Sequence, residues 1–362
     1  IAIILVILHH TYLAFSPENF KAVKYSSRII KMIIKVLENG RIGVDIFFVL
    51  SGFLIGSQLI KELLSSGTIN FKKFFIKRTF RIFPAYYVCL LMFIIFFYRD
   101  FTFKTIIYNI VYIQNYFYNC YEITWSLAVE EQFYIILPLT LVFLKKLIIK
   151  EYSFYRFFLF LIILPLIFRS LSYFNMENLF DSNYISVHIF GRFHTRFDQL
   201  LTGVVLGYFY NSVKRVNKIF YSSFFQIAVF ILFYLLIYYS GMNGSYYKIC
   251  LQFSVIALVL GIFFLTLLYN EKSLLTRCFK IFPLVFIAKI SYSLYLYHYF
   301  AIWIINKDKF QVSENLWLNY FFYFVAVTIV SIIFSMASWY SIEFPFLKLR
   351  DKILYNKKRI KQ

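Results

Sequence analysis

Apolar residues in this chain come in long unbroken stretches, with neither the face-by-face rhythm of a soluble helix nor the alternation of a half-buried strand. Runs of about 17–25 apolar residues match the thickness of a bilayer core. They predict ten membrane-spanning helices, at 1–15, 42–60, 84–99, 125–144, 154–173, 197–213, 219–239, 247–269, 284–305 and 317–340. The first reads as cut short at its start, because residue 1 is Ile, and no small-residue cleavage site follows that would make it a removable signal. No internal repeat, low-complexity linker or soluble domain breaks the series. The expected fold is all-α: one polytopic transmembrane bundle over 1–362 with a basic tail at 345–362.

One segment outside the spans has a rhythm of its own. In SPENFKAVKYSSRIIKMIIKVLEN, residues Lys21, Lys24, Arg28, Lys31 and Lys35 recur along one stripe of a helix. Ser16 suits its N-cap and Pro17 its first helical position. The segment predicts a helix lying among lipid headgroups, with an anionic glycan as the alternative ligand of its basic stripe.

Composition agrees with a membrane protein. The chain is 61% hydrophobic and 15% charged, where a soluble domain is near 45–50% and about 25%. With 48 Phe and 32 Tyr against 11 Gly, bulky side-chain packing is expected in place of close glycine-mediated crossings. The net charge of +21 does not require nucleic acid, because basic residues collect in cytoplasmic loops. The even-numbered gaps and the tail hold 23 Lys and Arg and the odd-numbered gaps 13. That asymmetry predicts that both termini are cytoplasmic. The cysteines, Cys89, Cys120, Cys250 and Cys278, have no metal-type or redox spacing, and nothing points to a metal. No Walker motif or GxGxxG is present.

In this topology the titratable residues within spans gather toward the outer leaflet: His9 and His10, Asp45, Glu130 and Glu131, Arg196 and Asp198, and His298. Charges in a bilayer are expensive and mark function when they face a bundle interior. A histidine beside a carboxylate suits proton transfer at neutral pH, so His10, oriented by Asp45 or Glu130, is the candidate base. Adjacent helical residues point about 100° apart, so one of His9/His10 and one of Glu130/Glu131 is expected to face the site. Arg196 and Asp198 either pair with each other or, through Arg196, meet the acceptor. On the other side, FKKFFIKRTFRIFP places Lys77, Arg78 and Arg81 ahead of Pro84, expected to open the third span. Arg78 and Arg81 share a helix face and suit phosphate. These residues alone leave two classes open: a transporter, or an enzyme taking a phosphorylated donor from the cytosol.

The motifs together resemble the membrane acyltransferase 3 family, which includes bacterial O-antigen (lipopolysaccharide) and peptidoglycan O-acetyltransferases. IAIILVILHH is similar to its first span, with His10 in the histidine position. GVDIFFVLSGFLI carries Asp45 and Ser51, KRTFRIFP resembles an R-x-x-R-I-x-P motif, and TWSLAVEEQFY matches W-S-L-x-V-E-x-Q-F-Y through Trp125, Glu130 and Gln132. TRFDQLLTG, SYSLYLYH and IEFPF follow in order. The resemblance implies transfer of an acyl group, usually acetyl, from cytosolic acyl-CoA to a hydroxyl of a cell-surface or lipid-linked glycan, in a bacterial inner membrane. It implies a catalytic His10, as general base on a sugar hydroxyl or as first acceptor of the acyl group, and a CoA-binding pair, Arg78 and Arg81, helped by Lys77. Trp125 and Tyr295 then supply a sugar-stacking wall, and His298 a hydrogen bond to the tetrahedral oxyanion. Many relatives carry a further hydrolase-like domain; none is expected within 1–362, so transfer is expected to be completed alone or with a separate partner. Export of a glycan intermediate is the alternative.

Overall fold

The computed structural model describes residues 1–15, 20, 27–97, 101–117, 121–146, 151–176, 184–213, 216–241, 244–311 and 313–355. Among them every regular element is helical. In chain order these are α1 (Ala2–Phe15), α2 (Arg28–Asn39), α3 (Ile42–Ser66), α4 (Phe71–Phe97), α5 (Phe103–Ile110), α6 (Trp125–Phe143), α7 (Glu151–Phe174) and α8 (Phe197–Ser212). There follow α9 (Ser223–Tyr239), α10 (Gln252–Tyr269), α11 (Leu274–Phe279), α12 (Phe282–Lys289), α13 (Ser291–Ile304), α14 (Leu316–Ser338) and α15 (Phe344–Tyr355).

Six stretches of the described residues are long and apolar enough to cross a bilayer: Ile42–Ser66, Phe71–Phe96, Glu122–Phe143, Ser153–Phe174, Tyr247–Tyr269 and Leu316–Tyr355. Ala2–Phe15 and Ser223–Tyr239 are apolar but shorter. The other two predicted spans also fall on helices. One is α8, and the other is broken at Ile290 into α12 and α13. Burial is inverted relative to a water-soluble protein. Phe143 is 89% exposed and Phe224 84%, whereas Arg169, Arg196, Asp198 and His298 are fully buried. Large apolar side chains outside and ionisable ones inside are the arrangement lipid demands. The protein is an all-α polytopic membrane protein.

Glycine placement overturns the expectation of bulky packing throughout. Gly52 and Gly56 of α3 lie against α8, whose own Gly203 and Gly207 face back. A Cβ on Gly52 would collide with the Leu200 carbonyl oxygen, and one on Gly203 with that of Val49. These are two facing G-x-x-x-G pairs, one small-residue seam letting backbones touch. A low glycine count set no limit on where the few glycines fall. Asn211 fastens the far end of the seam, donating to Ser57 Oγ at 2.7 Å.

Two boundaries differ from the sequence reading. Pro84 does not open a span: α4 begins at Phe71 and runs through the proline, which a membrane helix tolerates when neighbouring helices meet the freed backbone groups. Arg78 and Arg81 therefore ride on the helix itself. In α2, Ser27 is the cap, its side chain accepting from the Ile30 N–H at 3.2 Å. Ser16, Pro17, Lys21 and Lys24 lie outside the described residues. Arg28 and Lys31 are exposed, Lys35 pairs with Glu38 at 2.8 Å, and Ile34 and Leu37 pack inward.

Candidate active site

His10 and His298 meet across α1 and α13: His10 Nδ1 lies 2.8 Å from His298 Nε2. The other His298 nitrogen, Nδ1, faces the Tyr295 carbonyl at 2.8 Å and the Leu294 carbonyl at 3.1 Å. A carbonyl only accepts, so His298 Nδ1 holds the proton and, in the neutral ring, Nε2 is an acceptor. His10 Nδ1–H must then donate to it, which leaves His10 Nε2 with a free lone pair. His9 instead donates its Nδ1–H to the Leu37 carbonyl at 2.9 Å, tying α1 to α2. Of the two adjacent histidines, His10 is the one whose Nδ1–H is held by a second imidazole, which can share the charge when Nε2 takes a proton.

It offers Nε2 at a cavity of about 370 Å³, whose wall includes His10, Arg41, Gln114, Asn115, Trp125 and Tyr295, and also His9, against the expectation of one histidine there. Tyr295 presents its ring, because its hydroxyl donates to the Ile123 carbonyl and contacts Ser126 Oγ, both at 2.6 Å. Trp125 packs on Phe190, ring centroids 4.7 Å apart. An apolar, aromatic wall with few convergent polar groups is the usual form of a small-molecule site.

Several expected partners are placed differently. Asp45 does not orient His10. Its Oδ1 accepts from Arg196 Nη2 at 2.6 Å and from Gln199 Nε2 at 2.5 Å. Arg196 is fully buried, also donating to the Phe190 carbonyl at 3.1 Å, with Phe253 and Phe190 against its guanidinium at 4.3 and 4.6 Å. Its donors are committed, so it braces the aromatic wall from behind and does not reach an acceptor. Nor do Arg196 and Asp198 pair: Asp198 takes Arg169 Nη2 at 2.9 Å and Ser254 Oγ at 2.6 Å. Arg169, inside α7, was absent from the sequence reading. The only signal was one cation within an apolar run. His298 cannot supply an oxyanion hydrogen bond, since its Nε2 accepts from His10 and the ring is fully buried.

Glu130 does not orient His10 either. Its Oε2 accepts from the Tyr134 hydroxyl at 2.5 Å and from Ser51 at 3.3 Å, while Ser51 Oγ and Tyr134 Oη are 2.6 Å apart. The Arg78 guanidinium lies over the rings of Tyr134 and Phe74 at 5.5 and 5.9 Å, within electrostatic reach of both Glu130 and Glu131. The reason is helical rise. Glu130 is five residues into α6, roughly 8 Å, and Arg78 seven residues into α4 from the opposite end, roughly 10 Å. In a core about 30 Å thick they approach one another. Both glutamates face the interior, against the expectation of one. Half-buried Lys77 and exposed Arg81 continue the cationic surface on α4. Arg81 reaches the field of Glu343, which accepts from Ser293. A half-buried guanidinium beside two further cations fits an anionic phosphate ligand.

A Staphylococcus aureus (strain COL) protein, named provisionally as an O-acetyltransferase, is 30% identical over 351 residues, 88% of this chain and 54% of that protein. The peptidoglycan O-acetyltransferase OatA of Listeria monocytogenes is 28% identical over 77% of this chain and 48% of its own. The O-acetyltransferase OatA of Staphylococcus aureus (strain NCTC 8325 / PS 47) is 29% identical over 76% and 48%. The chain spans about half the length of the curated relatives it matches. No solved structure matches it. The family model described as "Acyltransferase domain" matches residues 1–336, and the chain belongs to that family.

Proposed function

We propose that this protein is a membrane O-acyltransferase that moves an acyl group, acetyl by preference, from cytosolic acyl-CoA to a hydroxyl of a cell-surface or lipid-linked glycan. The reading places it in a bacterial inner membrane with both termini in the cytoplasm. The observation that carries it is the His10–His298 pair. A histidine whose Nδ1–H is held by a second, carbonyl-anchored histidine presents an unprotonated Nε2 to a cavity walled by Trp125 and Tyr295. That is a general base beside a surface suited to a sugar ring.

In this reading Arg78, with Lys77 and Arg81, holds the donor's phosphates at the cytoplasmic end. The donor supplies an activated thioester. His10 Nε2 removes the proton of the acceptor hydroxyl as its oxygen bonds to the acyl carbon, and returns that proton to the departing thiolate. His298 fixes the tautomer of His10 and stabilises the transient imidazolium. Glu130, with Ser51 and Tyr134, keeps Arg78 in place by charge and by the Tyr134 ring.

Membrane vesicles supplied with radiolabelled acetyl-CoA and cell-envelope glycan test the proposal. Wild-type protein is expected to label the glycan, and His10→Ala and Arg78→Ala/Arg81→Ala, expressed to equal levels, to lose at least about 10²-fold in rate. Undiminished labelling by His10→Ala would refute it.

A further inference from the structure

Two buried polar atoms near the middle of the bundle, Glu131 Oε1 and Tyr112 Oη, have no hydrogen-bond partner among the described residues. They belong to one neighbourhood: the Glu131 carboxyl acts electrostatically on Tyr112, Tyr87 and Tyr292 and lies in the field of Arg78. An unmatched buried group costs about 1–3 kcal/mol, so two together need a reason.

Tyr112 is itself unusual. Its φ of 57° is the one positive value among the described non-glycine residues, a conformation that a bulky side chain rarely adopts. Such strain persists when the surroundings fix it and gathers at functional sites. Here the Tyr112 ring stacks on Tyr86 and Phe83, at 4.6 and 5.4 Å, and its carbonyl accepts from Gln132 Nε2 at 2.8 Å. Its hydroxyl is therefore held in place with nothing to donate to. Neighbouring hydroxyls are already committed: Tyr86 donates to the Asn109 carbonyl, Tyr87 to Ile110 and Tyr292 to Ile82, each at 2.9 Å.

A fixed O–H donor beside a fixed carboxyl acceptor is complementary to an amide, which offers one C=O and one N–H. The position suggests whose amide. Phe83, Tyr86 and Tyr87 stand five to nine residues beyond Arg78 on α4, roughly 8–13 Å along the axis. Gln114, two residues past Tyr112, lines the His10 cavity. The site thus lies between the phosphate-binding cations and the pocket.

We infer that Glu131 and Tyr112 form a subsite for an amide of the donor's pantetheine arm, Tyr112 donating to its carbonyl and Glu131 accepting from its N–H. The inference rests on the acyl-CoA reading above. Glu131 lies beside the motif glutamate, outside the pattern that carried the resemblance, so its role is read from its surroundings.

Calorimetry on the purified full chain tests it with two probes: CoA, and 3′-phospho-ADP, the nucleotide half of CoA without the arm. Tyr112→Phe and Glu131→Met keep ring and side-chain length while removing the donor and the acceptor. Each is expected to weaken CoA about tenfold, the worth of one hydrogen bond, and to leave 3′-phospho-ADP within about twofold. Arg78→Ala is expected to weaken both. Equal losses for both probes, or none for either, in the Tyr112 and Glu131 variants would overturn the subsite while leaving the donor reading standing. Wild type binding neither probe would overturn both.

Discussion

At the scale of single residues, the site is decided by what each hydrogen bond is spent on. His9 and His10 are neighbours of the same chemistry, yet the Nδ1 of His9 is held by a backbone carbonyl and that of His10 by a second histidine. Spacing predicts that one of the pair faces the site; both line the cavity, and their Nδ1 partners tell them apart. His298 is a positioning residue in this scheme. His298→Ala is expected to reduce kcat about 10²-fold with donor affinity unchanged, and His298→Gln, whose amide oxygen can accept from His10 Nδ1, to restore part of the loss. A matching fall in donor affinity would contradict that role. Asp45 makes the opposite prediction. Asp45→Asn leaves the guanidinium of Arg196 buried without its counter-charge, and breaking such a pair costs about 3–5 kcal/mol. Thermal unfolding should show a large drop in Tm, with activity per folded molecule little changed. Lost activity at unchanged stability would instead return Asp45 to the chemistry.

At the scale of helices, the apolar runs were legible because lipid imposes one length on every span. Their polar partnerships were not, because each is set by how the helices pack and not by a local pattern: α3 with α8, 151 residues apart, through Asp45–Arg196, and α7 with its chain neighbour α8 through Arg169–Asp198. Pro84 misled for a physical reason. In water a proline ends a helix cheaply, whereas in lipid the chain has nowhere else to satisfy its backbone and continues through it. That continuation carries Arg78 up toward Glu130. The α3–α8 seam gives an element-level test. Gly203→Ala drives a methyl group into the Val49 carbonyl oxygen and the Phe53 N–H, and about 1–3 kcal/mol of destabilisation is expected, read as a lower Tm in detergent. The same change at Gly191, where a Cβ would meet its nearest neighbour at 3.5 Å, should be close to neutral.

At the scale of the whole molecule, the charge count between spans predicts an orientation that one thiol can report. Cys278, in α11, is exposed, while Cys89 and Cys250 are buried. Cys120 lies outside the described residues and is removed for the test as Cys120→Ser. A membrane-impermeant maleimide is then expected to label inside-out vesicles and to spare right-side-out ones; the reverse pattern would invert the topology. The gathering of polar residues within the bundle was visible in the sequence, but not its division. Instead of one cluster, the described residues form separate ones: His10–His298 by the cavity, Asp45–Arg196 and Arg169–Asp198 behind its wall, and Glu130–Tyr134–Arg78 between α4 and α6, with the orphaned pair of Glu131 and Tyr112 between Arg78 and the cavity.

The carbonyl anchor of His298 has a bioenergetic corollary. A proton taken up by His10 can hop to His298, but there it stops, because the next atom along is the backbone oxygen of Tyr295, which cannot relay it. The histidine pair is a dead end for proton conduction. Under the proposed mechanism, acyl transfer at the pocket therefore runs in an energised membrane without short-circuiting the proton gradient through this pair, each proton leaving with the donor's thiol.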